Sequence, residues 1–142
     1  MNDISKYASM MYRCGQIYYD EQLESYHIGC GQQFFLLRIH ENPGISQFEL
    51  ATQGFYDKGT TARAVKKLEE LGYITRHVDE IDHRMIRLYV SEKALPLIQT
   101  IQHVLEQWHD ALMEGFHPEE KKMARELMQR LGENAIKKIG RR

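Results

Sequence analysis

The first 26 residues carry apolar side chains at Ile4, Tyr7, Met11, Cys14 and Tyr18, three or four positions apart. That period places them on one face and predicts a long amphipathic helix from Ile4 to Tyr26, with Asn2 or Asp3 able to cap its start. Gly29 and Gly31 interrupt it. A second helix, QQFFLLRIHE, stops at Asn42-Pro43-Gly44, because proline disfavours helix at the residue before it and glycine frees the backbone. Ser46 then begins a shorter helix, with Glu49 three residues on completing a capping box. SQFELAT runs into the turn QGFYD, and Asp57 caps the next helix, KGTTARAVKKLEELG. Val65, Leu68 and Leu71 point inward from it, and Gly72 stands where a glycine commonly ends a helix. Two short helices thus meet across a tight turn.

After Gly72 the period falls to two. YITRHV and MIRLYV are rich in β-branched and aromatic residues and flank the polar DEIDHR, which predicts a β-hairpin with a six-residue tip. Ile86, Leu88 and Val90 alternate onto one face, and since two strands alone are marginal in water, that face should lie on the preceding helices. Ser91 and Glu92 open another long helix with a heptad-like stripe of Ala94, Ile98, Ile101, Leu105, Trp108 and Leu112, which needs a partner. His117-Pro118-Glu119-Glu120 starts a last helix with proline and acids in its first turn and an apolar side of Met123, Leu127, Leu131, Ala135 and Ile139. The expected order is α-α-α-α-β-β-α-α, a mainly α chain with a small β-hairpin (α+β).

Composition adds bounds. The chain has 142 residues, 42% hydrophobic and 27% charged, which suits one compact domain. Its formal charge of −1 means that affinity for a polyanion has to come from a local patch. Such a patch lies between Asp57 and Lys67, where Lys58, Arg63, Lys66 and Lys67 face a single acid. Charge alone fits a solvated helix face equally well. Two cysteines, Cys14 and Cys30, make no disulfide framework; the N-terminus lacks the features of a signal peptide, and no apolar run approaches the roughly 20 residues that span a bilayer. A soluble, cytoplasmic protein is expected.

The hairpin decides what the patch is for. Helix, tight turn, helix and hairpin is the arrangement of a winged helix-turn-helix, whose second helix enters the major groove. At the tip, Asp82 can accept hydrogen bonds from turn amides or from Arg84, while Arg84 points outward as a planar cation suited to a narrow minor groove. In an arbitrary protein the same two residues would be a surface ion pair of little energy.

The segment ELATQGFYDKGTTARAVKKLEELGYITRHVDEIDHRMIRLYVS resembles the DNA-binding core of the MarR family of bacterial transcription regulators. The family's wing pattern, Asp-x-Arg followed by Leu-x-Leu-Thr, is matched by Asp82, Arg84, Leu88, Val90 and Ser91. Weaker similarity runs through almost the whole chain. The resemblance implies a homodimer on a palindromic operator of double-stranded DNA, acting as a repressor released by a small phenolic or anionic effector. It divides the chain into an N-terminal dimerisation helix (1–30), a winged helix-turn-helix DNA-binding region (31–91) and C-terminal dimerisation helices (92–142). Carried over residue by residue, Asp57, Lys58, Thr60, Thr61 and Arg63 present the recognition helix to bases and phosphates. Lys66 and Lys67 contact the backbone, Arg84 probes the minor groove beside Asp82, and Ser46 and Gln47 reach phosphate. Two departures matter: Ala62 replaces a frequent Ser or Thr, and Gly54 stands one position before the usual turn glycine.

In the resembled proteins an effector crevice lies between the dimerisation helices and the DNA-binding lobe. Here that region offers Met10, Met11, Arg13, Cys14, Tyr18, Tyr26, His27, Phe34 and Arg38. Arginine beside aromatic rings suits an aromatic carboxylate, although Met and Tyr at helical spacing also fit plain core. Metal regulation would draw on Glu24, His27, Cys30, His40, His103, Glu106 and His109, none in the tight pairs of a structural zinc site, so no metal or cofactor is expected. Oxidant sensing would need an exposed thiolate, and Cys14 on the apolar stripe is expected to be buried. His77 and His83 flank the wing and fit ordinary solvated surface histidines, although if protonated at low pH they would strengthen DNA binding. A metal- or redox-responsive regulator of the same fold is one rival reading, and a winged helix used only for protein contacts, without DNA binding, is the other. No Gly-rich phosphate loop, nucleophile elbow, HExxH pair or closely spaced carboxylates support an enzyme.

Overall fold

A computed structural model describes residues 3–140. Along them run α1 (Ile4–Leu23), a 3-10 turn (Glu24–Tyr26), α2 (Gln32–Glu41), β1 (Ile45–Ser46), α3 (Gln47–Gly54) and α4 (Lys58–Glu70). Then come β2 (Ile74–Val78), β3 (Ile86–Val90), α5 (Ala94–Leu112) and α6 (Pro118–Ile139). The described chain is mainly helical with one antiparallel sheet, ordered β1-β3-β2. Two compact units divide between Glu106 and Gln107.

In the first unit, Leu36 and Ile39 of α2, Leu50 of α3, Val65 and Leu68 of α4, Leu88 of β3, and Leu97, Ile98 and Ile101 of α5 are buried. Leu71 and Ile86, expected in the core, are half-buried. Leu88 faces the core as the alternation requires, and β3 pairs with both neighbours, Ile45↔Leu88 on one side and Ile74↔Val90 on the other. The hairpin is thus a three-stranded sheet. β1 escapes the pattern because two residues cannot display a period of two.

Asp3 caps α1, its carboxylate accepting the Ser5 N–H at 2.8 Å; Asn2 lies outside the described residues. The helix ends at Leu23 rather than at Tyr26. The Tyr26 carbonyl instead accepts from the Tyr73 hydroxyl at 3.2 Å, its own hydroxyl meets Thr100 Oγ1 at 3.2 Å, and His27 turns left-handed at φ 63°. The buried residues of α1 are Gly15, Tyr19 and Leu23. Ile4 (69% exposed), Tyr7 and Met11 are open to solvent, and Cys14, expected to be buried, is exposed, because the face of α1 that packs into the first unit is the one carrying Gly15, Tyr19 and Leu23.

In the second unit, Pro118 opens α6 and the His117 N–H donates to Glu120 Oε1 at 2.9 Å, so the expected start is where the sequence places it. No residue of α6 is buried; Met123, Leu127, Leu131 and Ile139 lie open.

Candidate nucleic-acid interface

Two capped helices and the turn between them build the first half of the site. Ser46 Oγ accepts the Glu49 N–H at 3.0 Å and starts α3. At its far end Phe55, not a glycine, takes the left-handed position, with φ 56°. Gly54 is needed for space instead, since a Cβ there would strike the Tyr56 ring. The displaced turn glycine therefore makes room for Tyr56, which packs on Phe35 with ring centroids 4.4 Å apart.

Asp57 follows directly and caps α4. One carboxylate oxygen accepts the Thr60 N–H at 2.6 Å and the other the Thr60 hydroxyl at 2.8 Å. Arg63 donates to the same Thr60 oxygen at 3.3 Å, so acid, hydroxyl and guanidinium form one chain across the first turn. The Thr60 N–H and hydroxyl, then the Arg63 charge, hold the Asp57 carboxyl below its ordinary value. Thr61, Ala64, Val65 and Leu68 of α4 are buried, leaving Lys58, Arg63, Lys66 and Lys67 on the solvent side. The helix N-terminus adds its own partial positive charge.

A depressed carboxyl contributes stability that is complete above its unfolded value and lost as the pH falls through its native one. Asp57→Asn keeps the cap's shape and removes the charge. Its melting temperature should lie below that of the parent at neutral pH, and the two should converge below the carboxylate range. A gap that persists unchanged into acid would refute this account of Asp57.

The wing forms the second half. Asp82 Oδ1 accepts both the Arg84 N–H and the Arg84 Nε–H at 3.1 Å, and the Arg84 side chain is 93% exposed. Two residues that the sequence pattern does not single out shape this tip. Asp79 Oδ2 accepts the N–H groups of Ile81 (3.2 Å) and Asp82 (2.8 Å), while its Oδ1 accepts Arg87 Nε–H at 3.1 Å. The Asp82 N–H first, and then Arg87, hold the Asp79 carboxyl below its ordinary value. An acid opening a polar tip is a local signal for such a turn, and Arg87, the one charged side chain between Met85 and Val90, is a weaker one. His77 and His83 are exposed beside the wing, His83 Nε2 lying 3.1 Å from the Glu80 carbonyl.

The structure withdraws two hydroxyls from the candidate surface. Ser46 is 2% exposed and committed to its cap; Thr61 is wholly buried and donates to the Asp57 carbonyl at 3.0 Å. Neither hydroxyl is open to solvent. Gln47 is half-buried at the start of α3.

The effector candidates are only partly gathered. Phe34 packs edge-on against Tyr19 at 5.7 Å, and Tyr18 is half-buried. Met10, Met11, Arg13, Cys14 and His27 are exposed, and Arg38 lies 3.9 Å from Glu41. Tyr56 is an aromatic that the sequence pattern does not single out: burial, then the neighbouring Tyr12, push its hydroxyl up, and the Arg38 charge opposes them. Among the described residues no three His, Cys, Asp or Glu side chains are grouped to hold a metal ion, and no helix is long and apolar enough to cross a membrane.

Comparison with known proteins agrees with this geometry. The family model described as MarR family matches residues 34–85. The HTH-type transcriptional regulator YybA of Bacillus subtilis (strain 168) is 33% identical over 94% of this chain and 89% of its own. A MarR transcriptional regulator from Methanosarcina mazei Go1 superimposes with a TM-score of 0.91 at 36% identity, covering 94% of this chain and 96% of that one. A MarR family regulator from Listeria monocytogenes, complexed with 26mer DNA, superimposes with a TM-score of 0.87 at 27% identity, covering 94% and 89%. This chain belongs to the MarR family: it is a winged helix-turn-helix, DNA-binding transcriptional regulator and not an enzyme.

Proposed function

We propose that the protein is a homodimeric, sequence-specific repressor that sits on a palindromic operator in the cytoplasm and leaves it when a small phenolic or anionic effector binds. The observation that carries the DNA reading is the pairing of an exposed cationic side of α4 with an outward, carboxylate-held arginine at the wing tip. Lys58, Thr60 and Arg63 meet bases and phosphates, Lys66 and Lys67 the backbone, and Arg84 the minor groove; Asp57 and Asp82 orient their neighbours, and Gln47 adds a phosphate contact. Residues 31–91 serve this binding. Residues 1–30 and 92–142 serve dimerisation, supported by exposed apolar side chains on α1 (Ile4, Tyr7, Met11) and on α6 (Met123, Leu127, Leu131, Ile139).

The effector reading draws support from Arg38 and Tyr12 near Tyr56, one residue before the cap of α4. An anion paired to Arg38 and stacked on these rings would act directly on the segment that presents the recognition helix.

The test is a salt titration on operator fragments recovered by selecting genomic DNA with purified protein. Affinity should fall log-linearly, by about 0.9 in slope for each neutralised phosphate. Arg84→Ala should weaken binding roughly tenfold or more without changing the melting temperature. A flat salt response, or full affinity in Arg84→Ala, rejects the reading. Phenolic and aromatic carboxylate compounds should each be titrated into the bound complex, and release by none of them rejects the effector.

A further inference from the structure

We infer that Arg87 is a positioning residue for the wing, bolting the tip that carries Arg84 to the turn that leaves α2. The inference rests on the DNA-binding reading and adds to it a residue that never touches DNA.

The paired register of β2 and β3 ends at Val78↔Ile86. Beyond it the tip keeps only two backbone bonds, Asp79 N–H to the Met85 carbonyl and Met85 N–H to the Asp82 carbonyl, both 2.9 Å. Its shape therefore depends on Asp79, whose carboxylate gathers the amides of Ile81 and Asp82 and so presents Asp82 to Arg84. Asp79 belongs to the hairpin and would swing with it. What fixes it to the lobe is Arg87.

Arg87 sits on the central strand, opposite His77 on one side and Ser46 on the other, so its side chain can reach both edges. Its Nε–H goes to Asp79 at 3.1 Å, and its Nη1–H goes to the Gly44 carbonyl at 3.0 Å. That carbonyl is a fixed acceptor. Gly44 is left-handed at φ 85°, its N–H donates to the Leu88 carbonyl at 2.9 Å, and a Cβ there would lie 3.1 Å from the Tyr89 hydroxyl. Exposed ion pairs hold little in place, but here the side chains are only 35% (Arg87) and 22% (Asp79) exposed and one planar fork serves two segments. The Asn42 N–H and side-chain amide both donate to the Arg38 carbonyl at 3.0 Å, so the anchoring turn is itself tied to α2.

Arg87→Met keeps the apolar stem and removes the fork. Two measurements test it on the full-length protein. Without DNA, hydrogen exchange at the Ile81 and Asp82 amides should accelerate, and Asp79→Asn should act in the same direction. With operator DNA, Arg87→Met should lower affinity about tenfold in the parent but less than about twofold in Arg84→Ala, since a residue that acts through Arg84 has nothing left to position. Unchanged exchange, or an equal loss in both backgrounds, overturns the inference. A parent chain with no salt-dependent affinity for duplex DNA overturns the functional reading instead; the exchange arm, measured without DNA, tells the two failures apart.

Discussion

Leu127→Glu combined with Leu131→Glu is expected to leave the protein monomeric and to cut its affinity for operator DNA by roughly a hundredfold, the scale on which two linked binding lobes exceed one. The reason lies in α6. Met123, Leu127, Leu131, Ala135 and Ile139 recur every four residues and share a side, yet Leu127 is 44% and Leu131 46% exposed in the single chain. An isolated helix is marginal in water, and a continuous apolar side left uncovered marks an interaction surface. Full burial of an exposed leucine contributes about 1.5–3 kcal/mol, so covering the part of Leu127 and Leu131 still open contributes roughly 1 kcal/mol each, and a carboxylate in its place adds the cost of desolvating a charge. Sedimentation equilibrium reads the assembly and fluorescence anisotropy on labelled operator reads the affinity. A double variant that stays dimeric, or a monomer that binds as tightly as the parent, would remove the ground for placing α6 in the dimer.

The same helix shows what a one-dimensional pattern can tell. Periodicity reports which residues share a side, but not what covers it. That is why the caps at Asp3 and Asp57, the proline start of α6 and the inward Leu88 were legible, whereas the exposure of Ile4 and Cys14 was not. The residues buried on α1, Gly15, Tyr19 and Leu23, lie one step round the helix from the predicted stripe. Hydroxyls near a helix start pose a related ambiguity, because Ser46 and Thr61 have the chemistry either to serve the local backbone or to meet a phosphate, and only burial separates the two. The departure at Gly54 was visible, but its resolution needed the Tyr56 ring in place and Phe55 in the left-handed region. The hydrogen bond from Arg87 to Gly44 joins residues 43 positions apart, which no local motif encodes.

Within the recognition helix, the cations are plain in the sequence and the fold ranks them. Arg63→Ala should cost about 1–3 kcal/mol of operator affinity and flatten discrimination at one base position, whereas Lys66→Ala should weaken all sequences alike and reduce the salt slope by about one. The difference follows from how each charge is held. Lys66 is a flexible point charge on the exposed side of α4, suited to a phosphate. Arg63 is anchored at Thr60 Oγ1, which is itself bound to Asp57, and lies over Gly59, where an added Cβ would come within 3.2 Å of its Nη1. A planar fork restrained at the start of a recognition helix matches the paired acceptors of guanine in the major groove, each such pair discriminating by about 1–3 kcal/mol. Arg63→Lys should therefore retain most of the salt dependence while losing the base preference. Binding of each variant to a library of operators with single base changes resolves the two effects. If Arg63→Ala weakens every sequence by the same factor, Arg63 is one more backbone contact and the base preference of this chain lies elsewhere on α4.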